Sequence, residues 1–323
     1  MNRHFILAVF CSIAASACVA VPSSQAENWP DRPVKIILPY APGGATDAIG
    51  RPWAEKLSKA FGEQFVVENR GGASGTIGVE AAVRSPADGY TLLLTPNSAI
   101  AIIPQLRKVA YDAVDDLEPV ARVGDIVGGF VVHPSIGVKT MKELIAYAKK
   151  NPGKLTFGTP GLGTSVHLRL EMLKLRAGID ILNVPYRGSG DALNDLLPGN
   201  IHMMNEIVVF PHVKAGKLNL LAINHTERHW DFPNVPTLAE LGIENADVPI
   251  WFALWAPKGT PKHIIEKLNA KMSELAKSPD LKAAMRSVGV SIPIQTPAEL
   301  SRHLANDLKA NLEVIKAANI KLE

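Results

Sequence analysis

An apolar run, Ile36 to Tyr40 in the stretch KIILPYAPGGATDAIGR, breaks at Pro42-Gly43-Gly44 and passes at once into small and polar residues that read as a helix start. A strand, a side-chain-free elbow and a helix N-terminus in immediate succession constrain both the path of the chain and what it can hold. A helix start leaves its first N–H groups without intrahelical partners, and the aligned peptide dipoles add about half a positive charge there. Glycine lets backbone approach a ligand because nothing projects from its Cα. The device recurs. In LTFGTPGLGTSVHLRLEML an apolar run leads from Thr159 through Gly161 and Gly163 to Thr164-Ser165, with Leu168, Met172 and Leu175 following at helical spacing. In LNVPYRGSGDALNDLL a strand ends at Tyr186, and Gly188-Ser189-Gly190 opens a short helix led by Asp191. A looser case, TLLLTPNSAIAII, places Asn97 and Ser98 after a strand.

Between these loops, short β-branched or aromatic runs alternate with helical patterns, which argues for an α/β class with mostly parallel sheets. The candidate strands are Val34–Tyr40, Phe65–Asn69, Thr91–Thr95, Gly129–His133, Leu155–Thr159, Leu182–Tyr186, Ile201–Met204, Leu218–Asn224 and Ile250–Ala256. Thr140 with Glu143, and Thr296 with Glu299, read as capping boxes. Thr260-Pro261 reads as a cap followed by proline at the first helical position. Irregular, proline-containing stretches at Pro119–Ile126 and Phe232–Val248 mark the places for the chain to cross between two lobes, residues 27–125 with 249–323 and residues 126–248. Trp251 and Trp255 share a strand face and read as core.

The first 26 residues stand apart, with a basic start at Arg3, an apolar core and Ser24-Gln25-Ala26 as a small-x-small cleavage site. They read as a secretory signal peptide; lipidation at Cys18 is the competing reading. Cys11 and Cys18, the only cysteines, both fall in this leader. The remaining chain therefore has no disulfide scaffold, thiol nucleophile or thiolate metal site. Removing Arg3 from 34 basic residues leaves 33 against 31 acidic ones, so there is no basic field for nucleic acid. A periplasmic, globular protein is expected, acting as a monomer, with no cofactor and no metal.

Helix-start loops of this kind suit a carboxylate, phosphate or sulfate, and open α/β sheets place ligands beyond the carboxyl ends of their strands. The candidate binding residues are Tyr40, Pro42, Gly43, Gly44, Ala45, Thr46 and Asp47, with Asn97 and Ser98, in the first lobe. In the second they are Thr159, Gly161, Gly163, Thr164, Ser165, His167, Tyr186, Gly188, Ser189, Asn205 and Glu206. Thr46, Thr164, Ser165 and Ser189 supply hydroxyl donors. Tyr40 and Tyr186 either wall a pocket or pack half-buried. Asp47 is either a first-turn charge favoured by the dipole or an acceptor for a ligand amino or hydroxyl group. Arg187 either pairs a ligand carboxylate or lies in solvent, and His167 fastens its loop. Glycine and Ser or Thr at such places also serve as plain turn and cap chemistry.

Enzyme motifs fail. GLGTSV lacks the third glycine of a dinucleotide fingerprint, and GGASGT has Thr76 where a nucleophile elbow needs glycine. HTERH, His225 to His229, lacks the zinc-site order and reads as an exposed turn. A secreted hydrolase or isomerase using His167 remains the competing class. A receptor that hands its closed form to a membrane kinase is a third reading.

Six long stretches, among them WPDRPVKIILPYAPGGATD, VVENRGGASGTIGVEAAVRSPADGYTLLL and VPYRGSGDALNDLLPG, resemble the periplasmic substrate-binding receptors of tripartite tricarboxylate transporters, the Bug family. The resemblance spans nearly the whole chain after the leader. It implies a two-lobe periplasmic binding-protein type II fold and supports a first lobe built from both chain ends. It implies no enzyme activity, but capture of a di- or tricarboxylate, an acidic amino acid or an aromatic acid by backbone amides, hydroxyls and waters. Delivery to membrane transporter subunits would follow. Carried onto this chain, the binding loops are Tyr40 to Asp47, Thr159 to His167 and Tyr186 to Gly190. The chain departs from the family pattern after LLPGN, where it reads Ile201-His202-Met203-Met204-Asn205-Glu206, putting Asn205 in place of an aromatic residue and Glu206 at the acid. Those positions approach the part of a pocket that sees the distal end of a ligand.

Overall fold

The computed structural model describes residues 29–244, 246–293 and 295–321, so the leader at 1–26 and Cys18 lie outside the described residues. Among the described residues, eleven strands form two sheets. The first holds β1 (Val34–Leu38), β2 (Phe65–Asn69), β3 (Thr91–Pro96) and β4 (Leu117–Ile126), together with the late β10 (Trp251–Pro257) and β11 (Val290–Ser291). Their order is β11-β4-β10-β3-β1-β2. The second holds β5 (Gly128–Val132), β6 (Thr156–Thr159), β7 (Leu182–Pro185), β8 (Met203–Asn205) and β9 (Asn219–Asn224), in the order β7-β6-β8-β5-β9.

Helices pack around both sheets. Around the first are α1 (Ala45–Phe61), α2 (Thr76–Val83) and the single turn α3 (Ile103–Leu106). Around the second are α4 (Met141–Lys150), α5 (Ser165–Ala177), α6 (Ser189–Leu196) and the short α7 (Phe210–Lys214). After β10 come α8 (Lys262–Leu275), α9 (Pro279–Ser287) and α10 (Pro297–Ala317). In α1, Ile49, Trp53 and Leu57 recur every fourth residue and are buried against the first sheet. In β10, Trp251, Ala253 and Trp255 enter one apolar cluster, while Phe252, Leu254 and Ala256 face the other. That alternation buries both faces of the strand, as a central strand covered on two sides requires.

Three expectations are corrected. Pro119–Ile126 is not irregular but most of β4, a ten-residue strand that pairs with β10 through two register shifts. Pro119 is tolerated there because its partner Trp255 lies beside one of those shifts. The sheets are mixed: β1–β2, β1–β3, β6–β7 and β6–β8 are parallel, whereas β3–β10, β4–β10, β4–β11, β5–β8 and β5–β9 are antiparallel. The parallel pairs are joined through helical crossovers, although α4 joins β5 to a β6 that runs the opposite way, since β5 pairs antiparallel with β8 and β6 parallel with it. Strands next to the two inter-sheet crossings, Val127 between β4 and β5 and the segment between β9 and β10, run against their neighbours. Finally, Thr260 does not cap α8: its Oγ1 donates 2.7 Å to the Pro257 carbonyl, and the helix begins one residue later, at Lys262. The boxes at Thr140/Glu143 and Thr296/Glu299 are both formed.

Candidate functional site

Between the carboxyl ends of the two sheets lies a narrow cleft whose empty space, counted together with the solvent-open mouth, is about 360 Å³. Three helix N-termini line it: Gly44-Ala45-Thr46 at α1, Thr164-Ser165-Val166 at α5 and Ser189 at α6. These helices run 17, 13 and 8 residues, long enough for their first-turn amides to carry a real dipole. Each start is set by local sequence. Gly44 precedes α1 in an extended conformation, and Thr164 caps α5 by accepting the His167 amide at 3.4 Å. Gly43, at φ +78°, makes the left-handed turn that swings the chain from β1 into α1.

The remaining wall is mixed. Tyr40, Ser98 and Glu206 add polar atoms, and Pro96, Pro160, Val166, Ile250 and Phe252 form an apolar side. Tyr40 Oη donates 3.0 Å to the Ser74 carbonyl and shares a 3.2 Å hydrogen bond with Ser98 Oγ. Burial pushes its phenol up to about 12, so it stays a neutral donor. Glu206 lies immediately after β8 and is 4 % exposed. Its Oε1 accepts from Ser189 Oγ at 2.9 Å and its Oε2 from the Ile207 amide at 3.3 Å. Burial raises its pKa, against the opposing pull of Ser189 and the Arg169 charge. Among the described residues no lysine, arginine or histidine lines the cavity.

The structure thus brings together Tyr40, Gly44, Ala45, Thr46, Ser98, Thr164, Ser165, Ser189 and Glu206 from the predicted set. The other candidates sit behind the wall, and their polar atoms are engaged there. Asp47 does not face the cavity; it accepts from the Gly43 amide at 3.1 Å, from Arg51 Nε at 2.8 Å and from Asn69 Nδ2 at 2.9 Å. Burial would raise its carboxyl, but those donors outweigh it and hold the pKa below the usual range. Asp47 therefore ties the first loop to its helix, and the Gly43 amide is spent on that tie. His167 Nδ1 accepts from the Gly163 amide at 3.0 Å, the loop-fastening role expected of it. Thr159 Oγ1 donates to Asn183 Oδ1 at 2.9 Å. Pro42, Gly161 and Gly188 shape the loops without lining the space.

Tyr186 does not line the cavity: its hydroxyl donates 2.7 Å to Asp195, and its ring packs against the apolar cluster that includes Ala192 and Leu196 of α6. Arg187 is exposed. Asn205 accepts from Arg169 Nη1 at 2.8 Å. Asn97 is a bridge. Its Nδ2 donates to Asp307 Oδ2 at 3.0 Å and to the Pro249 carbonyl at 3.2 Å, while its Oδ1 accepts from Ser165 Oγ of the other lobe at 3.0 Å. A second inter-lobe bond runs from Ser74 Oγ to the Leu162 carbonyl at 2.8 Å. His229, read as part of an exposed turn, is buried against Phe210, Trp230 and Phe232.

The apolar wall escaped the sequence reading. Pro96 and Pro160 stand at ends of predicted strands, so the strand-end rule could have reached them. Ile250 and Phe252 lie at the start of β10. That strand runs antiparallel to β3 and pairs Phe252 with Pro96, a placement no local signal carries. Arg169 is 1 % exposed and donates 2.7 Å to the Val248 carbonyl from Nε, a burial that no local sequence signal carries.

Residues 49–320 match the sequence model of the family described as "Tripartite tricarboxylate transporter family receptor". The chain is 38% identical over 327 residues to Protein BugT of Bordetella pertussis, with 100% of both chains covered. Among solved structures it is similar to the periplasmic binding protein BugD, at 32% identity and TM-score 0.87, covering 91% of this chain and 100% of that one. It is similar also to R. palustris Rpa4515 with adipate, at 32% identity and TM-score 0.88, covering 91% of this chain and 99% of that one.

Proposed function

Because the chain belongs to the tripartite tricarboxylate transporter receptor family, whose members are solute receptors and not enzymes, we propose that it captures a small carboxylate between its lobes and delivers it to membrane transporter subunits. The fold is that of the two-lobe periplasmic binding proteins. The lobes are taken as residues 27–125 with 249–323 and residues 126–248, with the leader at 1–26 cleaved on export to the periplasm. One observation carries the reading: the N-termini of α1, α5 and α6, from both lobes, converge on one cavity that also holds Thr46, Thr164, Ser165 and Ser189. First-turn amides without intrahelical acceptors favour an anion at such an end, while the hydroxyls of Thr164, Ser165 and Ser189 donate to Gly161, Asn97 and Glu206 and can accept a ligand only by exchanging those partners. That Rpa4515 holds adipate supports a carboxylate as the anion.

The ligand sits with a carboxylate at the three helix starts and its body along Pro96, Pro160, Val166, Ile250 and Phe252. Binding draws the lobes together, because only the closed form offers donors from both. Native mass spectrometry of the protein purified from its periplasm, followed by a thermal-shift screen of carboxylates, tests this. A co-purifying acid, or one that raises the melting temperature by several degrees, is the expected result. A protein that no carboxylate stabilises would refute it.

A further inference from the structure

The wall of the cavity has an unusual charge balance for a site that takes an anion. Among the described residues Glu206 is the only carboxyl side chain that lines it, and no cationic side chain does. Three sets of backbone amides can meet one ligand carboxylate. A second carboxylate on the ligand would have to meet either the apolar side, formed by residues such as Ile250 and Phe252, or Glu206 itself. Desolvating a second charge without a partner is costly, and two carboxylates in contact repel.

Glu206 is also held as an acceptor. Its two oxygens already accept from the Ser189 hydroxyl and the fixed Ile207 amide. Arg169 supplies the nearby positive charge from behind the wall, where its Nε and Nη1 are committed to the Val248 carbonyl and to Asn205. With both oxygens accepting, Glu206 keeps lone pairs for one more donor, and an incoming cation would offset the burial that raises its pKa. The group that best completes the cavity at this point is a hydrogen-bond donor on the ligand.

We propose that the ligand carries, besides a single carboxylate, an ammonium or hydroxyl group that docks on Glu206, so that the site takes amino or hydroxy monocarboxylic acids in preference to dicarboxylates. This rests on the receptor reading above and narrows its ligand. The pairing is charge-assisted and shielded from solvent by both lobes. Such bonds discriminate on the order of tenfold or more against a ligand that lacks the donor.

The test is calorimetry on the purified protein, after dialysis, with a matched four-carbon set: butanoate, succinate, and the hydroxy and amino butanoates with the donor at C2 or at C4. At least one donor-bearing acid is expected to bind tenfold or more tighter than both butanoate and succinate, and the hydroxy and amino arms separate the two donor types. In Glu206→Gln the ratio of donor acid to succinate should fall by at least tenfold. Succinate binding tighter than every donor-bearing acid in the wild type would overturn the inference and leave the carboxylate receptor standing. So would a ratio unchanged in Glu206→Gln. If no acid of the set binds the wild type, this inference fails, and the receptor reading is decided separately by the wider thermal-shift screen. The wild-type series decides the matter even if the variant does not fold.

Discussion

Gly190 sits where α6 meets the first lobe, and a Cβ built on it would stand 2.9 Å from the Pro42 carbonyl oxygen and 3.1 Å from the Gly43 carbonyl carbon. Both neighbours are backbone, so neither can rotate away. Gly190→Val should therefore wedge the lobes apart without harming either one. An overpacking cost of about 1–3 kcal/mol in the closed form only corresponds to ligand affinity falling roughly fivefold to over a hundredfold. Calorimetry, with circular dichroism unchanged, checks it; wild-type affinity would refute the closure geometry. His229 gives a pH prediction. Burial among Phe210, Trp230 and Phe232 lowers its pKa from 6.5 to about 4. The unfolded chain then takes up a proton that the folded one refuses. Stability is full above pH 6.5 and falls as the pH drops toward 4, by up to about 3 kcal/mol. Urea midpoints from pH 7 to pH 4 should show this acid limb in the wild type and a shallower one in His229→Phe, the remainder coming from His303, whose pKa burial also lowers to about 4.

At the scale of elements, two threonine caps that look alike in sequence do different work. Thr164 caps α5 beside the cavity, accepting from the His167 amide and donating 2.8 Å to the Gly161 carbonyl. Thr296 caps α10 in a box with Glu299, away from it. Each change to Ala should cost about 1 kcal/mol of stability. Only Thr164→Ala should also weaken ligand binding, because it frees both the loop and the helix start that line the cavity. Equal effects of the two variants on binding would contradict the site as described. Caps of this kind were legible in the sequence because they depend on residues three apart. The start of α8 departs from the cap expected at Thr260 because that hydroxyl donates to the Pro257 carbonyl, a choice made by the turn before the helix.

For the whole molecule, the question is what holds two lobes in one relation. Asn97 links Asp307 and the Pro249 carbonyl on its own side to Ser165 across the gap. A buried bond of this type contributes about 1 kcal/mol net, and removing the amide also leaves Asp307 short of a donor. Asn97→Ala should shift the population toward open forms. Small-angle scattering should report a larger radius of gyration for the ligand-free variant, and ligand should restore the compact form at higher concentration. No change in either quantity would remove Asn97 from the closure mechanism.

The strand–elbow–helix units, the capping boxes and the hydroxyls at Thr46, Thr164, Ser165 and Ser189 could be read from the chain because each depends on neighbours within about four residues. The two-lobe outline, with a first lobe drawn from both chain ends, came through the family resemblance and not through periodicity. Tertiary structure alone decided the rest. It set β4 as a strand and ran β10 back beside β3 to bring Phe252 to the cavity. It tied Tyr186 to Asp195, folded Asp47 onto its own loop, and seated Glu206 between Ser189 and Arg169. The reason is physical: where a side chain points beyond its own turn is set by partners far away in sequence, and burial and charge balance exist only once those partners have met.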